Sequence, residues 1–168
     1  MLLLIPGVLQ ATHNLAGQIT AAQSDPNNPN AYQITLTTYT DPEPAGVDRC
    51  DASFEIWSVG PNRTRLAVLE NIPRSNGVLM LNPPNDCTVD DPRNGVVVKG
   101  TVKRNIYVAD WTFPGPGEYD IYYYDIARHG SVVNIRNPEE QAFFVSTRLF
   151  ITPPIVGGNS SLVLLNEP

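Results

Sequence analysis

Pro114-Gly-Pro-Gly-Glu-Tyr-Asp-Ile-Tyr-Tyr-Tyr-Asp-Ile126 joins a tight corner to an alternating strand. Two Pro-Gly pairs stop any regular element, and the period of two that follows puts Tyr119, Ile121 and Tyr123 on one face and Asp120, Tyr122 and Tyr124 on the other. A tyrosine this close to a corner can bury its ring between two layers while its hydroxyl bonds the corner backbone. Gly117 and Tyr119 are therefore expected to be structural corner positions. On the N-terminal side, Asn105–Phe113 sets Ile106 and Val108 against Tyr107, Ala109, Trp111 and Phe113. On the C-terminal side, a loop over Arg128–Asn137 leads to Ala142–Ile151, with Phe143, Val145, Thr147, Leu149 and Ile151 on one face.

The same period recurs toward the N-terminus. His13–Thr20 aligns Leu15, Gly17 and Ile19, and Ala31–Thr40 aligns Tyr32, Ile34, Leu36 and Thr38, with a Pro/Asn turn over Ser24–Asn30 between them. Ser53–Val59 and Arg63–Leu69 read as a hairpin around Gly60-Pro61-Asn62, with Phe54, Ile56, Leu66 and Val68 facing in and Trp57 facing out. Gly77–Leu81 reads as a short strand, Asn82–Asn94 as a loop and Gly95–Lys103 as a further strand. Almost no stretch carries a helical period. Seven or more short strands, punctuated by 16 prolines and 12 glycines, predict an all-β antiparallel sandwich in one domain. The Gly-x-Tyr corner is similar to the tyrosine corner of immunoglobulin-like folds, so the fold class expected is an Ig-like β-sandwich.

Charge and composition narrow the function. The net charge of -6 and the absence of any Lys/Arg run argue against a nucleic-acid partner. The apolar stretch Leu2–Leu9 falls short of the ~20 residues of a membrane span. With the Pro6-Gly7 break and Ala11 it reads as the end of a signal peptide over residues 1–11, or else as a core strand. The sandwich is placed at 12–153, and 154–168 is read as a linker or the start of a next module, with Gly157–Ser161 flexible and Leu162–Leu165 a short strand. Cys50 and Cys87 are the only cysteines, which in an exported chain means a disulfide; without export they read as buried thiols.

Several stretches taken in order resemble a known family: Ala11-Thr-His-Asn-Leu-Ala-Gly-Gln-Ile19, Ile34-Thr-Leu-Thr-Thr-Tyr-Thr40, Phe54-Glu-Ile-Trp57, Ile72-Pro-Arg-Ser-Asn76, Trp111-Thr-Phe-Pro-Gly-Pro-Gly-Glu-Tyr119 and Asn159-Ser-Ser-Leu-Val-Leu-Leu-Asn166. The chain resembles the N-terminal module of large gliding-motility-associated surface proteins of Bacteroidetes, built from serial Ig-like domains of the polycystic-kidney-disease (PKD) type. The resemblance implies export, by a type IX route, to the outer surface or beyond. It implies neighbouring Ig-like modules, surface proteins or glycans as partners, and no catalytic residues. One departure is Ser58-Val59-Gly60-Pro61, where related domains carry Trp-Gly-Asp-Gly.

The chemistry sought is sparse. No Gly-x-Ser-x-Gly, His-Glu-x-x-His or phosphate-binding glycine loop is present, and the only histidines are His13 and His129. If Cys50 and Cys87 bond, their α-carbons come to about 6 Å and gather Asp48, Asp51, Asp86 and Asp90 at one end of the sandwich. Crowded carboxylates suit a hard cation, so weak calcium binding is expected there, against a solvated acidic loop. Trp111, Tyr122 and Tyr124 could form an aromatic strip for sugar rings, against burial in the core. The expected function is a non-catalytic structural or adhesive surface module; the alternative is a carbohydrate-binding module, and a hydrolase ranks third.

Overall fold

The computed structural model describes residues 14–41, 49–75, 96–99, 102–125 and 132–153. Eight strands are assigned within them: β1 Asn14–Asp25, β2 Asn28–Thr40, β3 Asp51–Ser58, β4 Thr64–Pro73, β5 Val96–Lys99, β6 Val102–Thr112, β7 Gly117–Asp125 and β8 Phe143–Ile151. The one helical element among the described residues is a single 3-10 turn, Pro138–Glu140. Two four-stranded sheets form, in the orders β1-β2-β6-β5 and β4-β3-β7-β8, and every strand pair is antiparallel. The first order is that of the four-stranded sheet of immunoglobulin constant-type domains. The second is their three-stranded sheet with β4 added at one edge. The chain folds as an Ig-like β-sandwich.

The period-two patterns become the inner layers. Ile19, Ala21, Tyr32, Ile34, Leu36, Tyr107 and Ala109 from the first sheet meet Phe54, Ile56, Ile121, Tyr123, Phe143 and Leu149 from the second. Each large side chain removed from water contributes about 1.5–3 kcal/mol. At one long edge β1 lies against β8, and Gly17 makes the approach possible. A Cβ there would stand 2.9 Å from the Phe143 ring and 3.1 Å from the Thr37 carbonyl oxygen. At the other long edge Arg74 bridges to Tyr107 of β6.

Three readings of the sequence are corrected by pairing. Leu66 and Val68 do not face in; both are more than one-third exposed, while Ala67 and Leu69 pack on the core. The reason is an irregularity: Trp57 pairs with Arg65 but Ile56 pairs with Ala67, so one extra residue in β4 turns the face over. A second bulge follows between Leu69 and Ile72, where Asn71 takes a left-handed φ of 55°, a conformation asparagine tolerates better than most residues. Gly95–Lys103 is not one strand. Lys99 pairs with Val102, so β5 ends there and β6 begins before Asn105. The turn between β1 and β2 is tighter than Ser24–Asn30: Asp25 pairs with Asn28, and the Asp25 carboxylate accepts the Asn27 amide at 2.8 Å. The expectations for residues 1–11, Gly77–Leu81, Asn82–Asn94 and 154–168 lie outside the described residues.

Candidate functional site

The corner at the top of the molecule has one decisive hydrogen bond. Tyr119 Oη donates to the Gly115 carbonyl at 2.8 Å, while its ring, 5% exposed, lies 4.6 Å from that of Phe113. Burial raises the Tyr119 phenol pKa. Phe113 in turn meets Tyr32 edge-on at 5.7 Å. This is the tyrosine-corner arrangement, with Gly117 beside the Tyr119 hydroxyl.

The opposite end is closed by polar groups. Asp125, 4% exposed, accepts a fork from Arg49 (Nη2 at 2.8 Å, Nε at 3.2 Å), a bond from Asn14 Nδ2 at 3.0 Å and a longer one from Tyr123 Oη at 3.4 Å. Beside it Arg74 donates to Asn105 at 3.1 Å, and Asn105 donates to Thr40 at 3.0 Å. Burial, followed by the charge of Asp125, pushes the Tyr123 phenol well above its ordinary range.

Between these ends, the outward face of the β4-β3-β7-β8 sheet carries the candidate site. β3 presents Glu55 and Trp57 outward, β7 presents Asp120, Tyr122 and Tyr124, and β8 presents Phe144 and Arg148. Arg63, from the β3–β4 turn, lies between two rings, 5.2 Å from Trp57 and 5.1 Å from Tyr122. Its guanidinium also donates to Tyr122 Oη and stands 3.6 Å from Asp120. Tyr122 donates to Asp120 at 2.7 Å, and Arg148 grips the same carboxylate at 2.7 and 3.2 Å. The Arg148 bonds hold the Asp120 carboxyl below its ordinary range. Burial, then the bond to Asp120, raises the Tyr122 phenol. Trp57 Nε1 donates to Glu55 at 2.8 Å, and Glu55 pairs with Arg65 at 3.6 Å.

These groups line a shallow hollow of about 330 Å³, bounded by Glu55, Trp57, Arg63, Tyr122, Tyr124 and Phe144. Through Glu55 and Tyr124 it runs into a larger polar trough of about 510 Å³ that reaches Asp51, Glu70 and Arg49. Tyr124 is 63% exposed and Phe144 51%, and they are register partners on neighbouring strands. The Phe144 ring lies 5.3 Å from that of Tyr122.

The residues singled out from the sequence are distributed unevenly. Tyr122 and Tyr124 share the outward face, but Trp111 sits on the other sheet. It is half-buried, paired with Tyr32 and packed against the core, so it belongs to no strip with the tyrosines. Asp51 is the exposed first residue of β3, while Asp48, Asp86 and Asp90 lie outside the described residues, as do His13 and His129. Cys50 precedes β3 and is not a free thiol; Cys87 lies outside the described residues. Trp57, Arg63, Phe144 and Arg148 were missed as site residues. Alternation alone gives Phe144 as the outward neighbour of Phe143, but Arg63 and Arg148 reach the site across strands. No family model, no curated protein and no solved structure matches the chain.

Proposed function

We propose that this chain is a non-catalytic module of a bacterial cell surface that adheres through the outward face of its β4-β3-β7-β8 sheet. The reading includes export, and membership in the gliding-motility-associated surface proteins of Bacteroidetes whose PKD-type modules the sequence resembles. The observation that carries it is the register pairing of two largely exposed aromatics, Tyr124 and Phe144, on a face whose Glu55, Arg63, Arg65, Asp120 and Arg148 are tied in ion pairs. Exposed aromatics at paired positions on a sheet retain apolar area for a partner, and side chains already held in place lose little entropy on binding. The inner faces of both sheets go to packing, which leaves the outer faces for recognition. Export also accounts for the cysteines. A Cys50–Cys87 disulfide would stabilise the module by roughly 4 kcal/mol in the chain-entropy picture.

The test is attachment. Beads coated with the purified chain are settled on isolated bacterial envelopes and sheared. The wild-type chain is expected to retain beads well above an albumin coating, and the double substitution Tyr124→Ser with Phe144→Ser to lower retention about tenfold. Retention no better than albumin for the wild type overturns the reading.

A further inference from the structure

We infer that the hollow around Tyr124 is a subsite for a neutral saccharide, an inference that rests on the adhesive reading of the same face. The first reason is what the backbone leaves available. β3 and β7, which carry most of the hollow, are central strands paired on both sides, so their amides are not open to an extended peptide. Only side chains can recognise a ligand there. The second is size. A hollow of about 330 Å³ suits one or two sugar rings, whereas a stable protein interface needs about 800 Å² from each partner.

The third reason is charge. Each arginine of the face has a carboxylate partner on it: Arg63 and Arg148 at Asp120, Arg65 at Glu55. Among the described residues every guanidinium of the face is engaged by a carboxylate, two of them sharing Asp120, and Glu70 and Asp51 add negative charge along the trough. An acidic glycan is therefore disfavoured and an uncharged one accepted. The fourth is the pairing of group types. The aliphatic C–H face of a pyranose ring stacks on an aromatic plane, and Tyr124, with Phe144 beside it, is the plane left open. The hydroxyls at the ring edge then meet the Glu55 carboxylate on the rim of the hollow, a planar group that takes two neighbouring hydroxyls at once. Trp57 holds Glu55 through its indole N–H, and the Tyr122 ring lies against that of Phe144.

The experiment is an array of neutral hexose and N-acetylhexosamine oligosaccharides printed beside sulfated and uronate-containing ones, probed with the wild-type chain, Tyr124→Ala and Glu55→Gln. The inference expects binding to at least one neutral class, at least tenfold weaker binding to the acidic set, and a tenfold or greater loss in each variant. Circular dichroism of the variants should match the wild type, since both side chains face outward. Binding to no neutral saccharide, equal binding to acidic ones, or binding indifferent to Tyr124→Ala each overturns it. The bead assay on periodate-oxidised envelopes separates the two claims. Retention that survives periodate but falls in Tyr124→Ala ends the saccharide assignment and leaves the adhesive face standing. Retention unaffected by Tyr124→Ala on untreated envelopes removes the face itself.

Discussion

The two ends of the sandwich are closed by different physics. At the top, Tyr32, Phe113 and Tyr119 pack together edge-on and tilted, and a single hydroxyl ties the corner; Phe113 and Tyr119 flank one local turn, and Tyr32 comes from the strand beside β6. At the bottom, Asp125 gathers Arg49 and Asn14 from distant parts of the chain together with Tyr123, and Arg74, Asn105 and Thr40 form a second hydrogen-bonded chain. The aromatic end depends on area and shape, which tolerate small errors in position. The polar end depends on complete hydrogen bonding, because any buried polar group left without a partner carries its full desolvation cost.

That contrast can be broken by substitution. The largest effect is expected at the top: Phe113→Ala should cost about 3–5 kcal/mol, read as a lowered denaturant midpoint, because it opens a cavity between two other rings. A loss under about 1 kcal/mol would mean that the corner collapses around the gap. Next comes Asp125→Ala, expected to cost about 2–3 kcal/mol. It strands Asn14 and Tyr123 in the interior, but Arg49, whose side chain is 46% exposed, can turn to water. If Asp125→Ala proves more damaging than Phe113→Ala, the polar end dominates and the ranking is reversed.

Smaller effects sharpen the comparison. Tyr119→Phe keeps the ring and deletes the bond to Gly115, so about 1 kcal/mol should be lost. A neutral result in thermal melts would assign the corner wholly to ring packing. The smallest effect is electrostatic and concerns neither end. Arg148 holds the Asp120 pKa below its ordinary value, so the pairing stabilises the fold above the unfolded-state pKa of about 3.9 and is lost as pH falls through the lower folded value. Wild type and Asp120→Asn should therefore differ in melting temperature at pH 7 and begin to converge as pH falls below about 4. A constant gap from pH 7 to pH 2 would contradict the assignment.

The aromatic end was legible in the sequence because its information is local. Alternation over residues 119–124 and a proline–glycine corner are enough to place Tyr119, and the same period placed Tyr32, Ile34 and Leu36 inside. Alternation failed in β4, where one extra residue opposite Trp57 and Ile56 exchanged the inner and outer faces. The polar end was not legible. Asn14 and Asp125 are 111 positions apart, and nothing near either residue indicates the other.

The candidate site divides in the same way. Period two put Tyr122 and Tyr124 on one outward face by itself, and the same rule would have supplied Phe144. It could not separate Trp111 from them, because alternation gives a side of a strand without saying which sheet the strand joins. The sequence by itself determined the two-layer β architecture, since burying one face of each alternating strand requires a second sheet. Tertiary structure decided which strands became neighbours. That choice set Arg63 between Trp57 and Tyr122 and placed Arg148 on Asp120, because cross-strand contacts depend on register and sheet order rather than on distance along the chain.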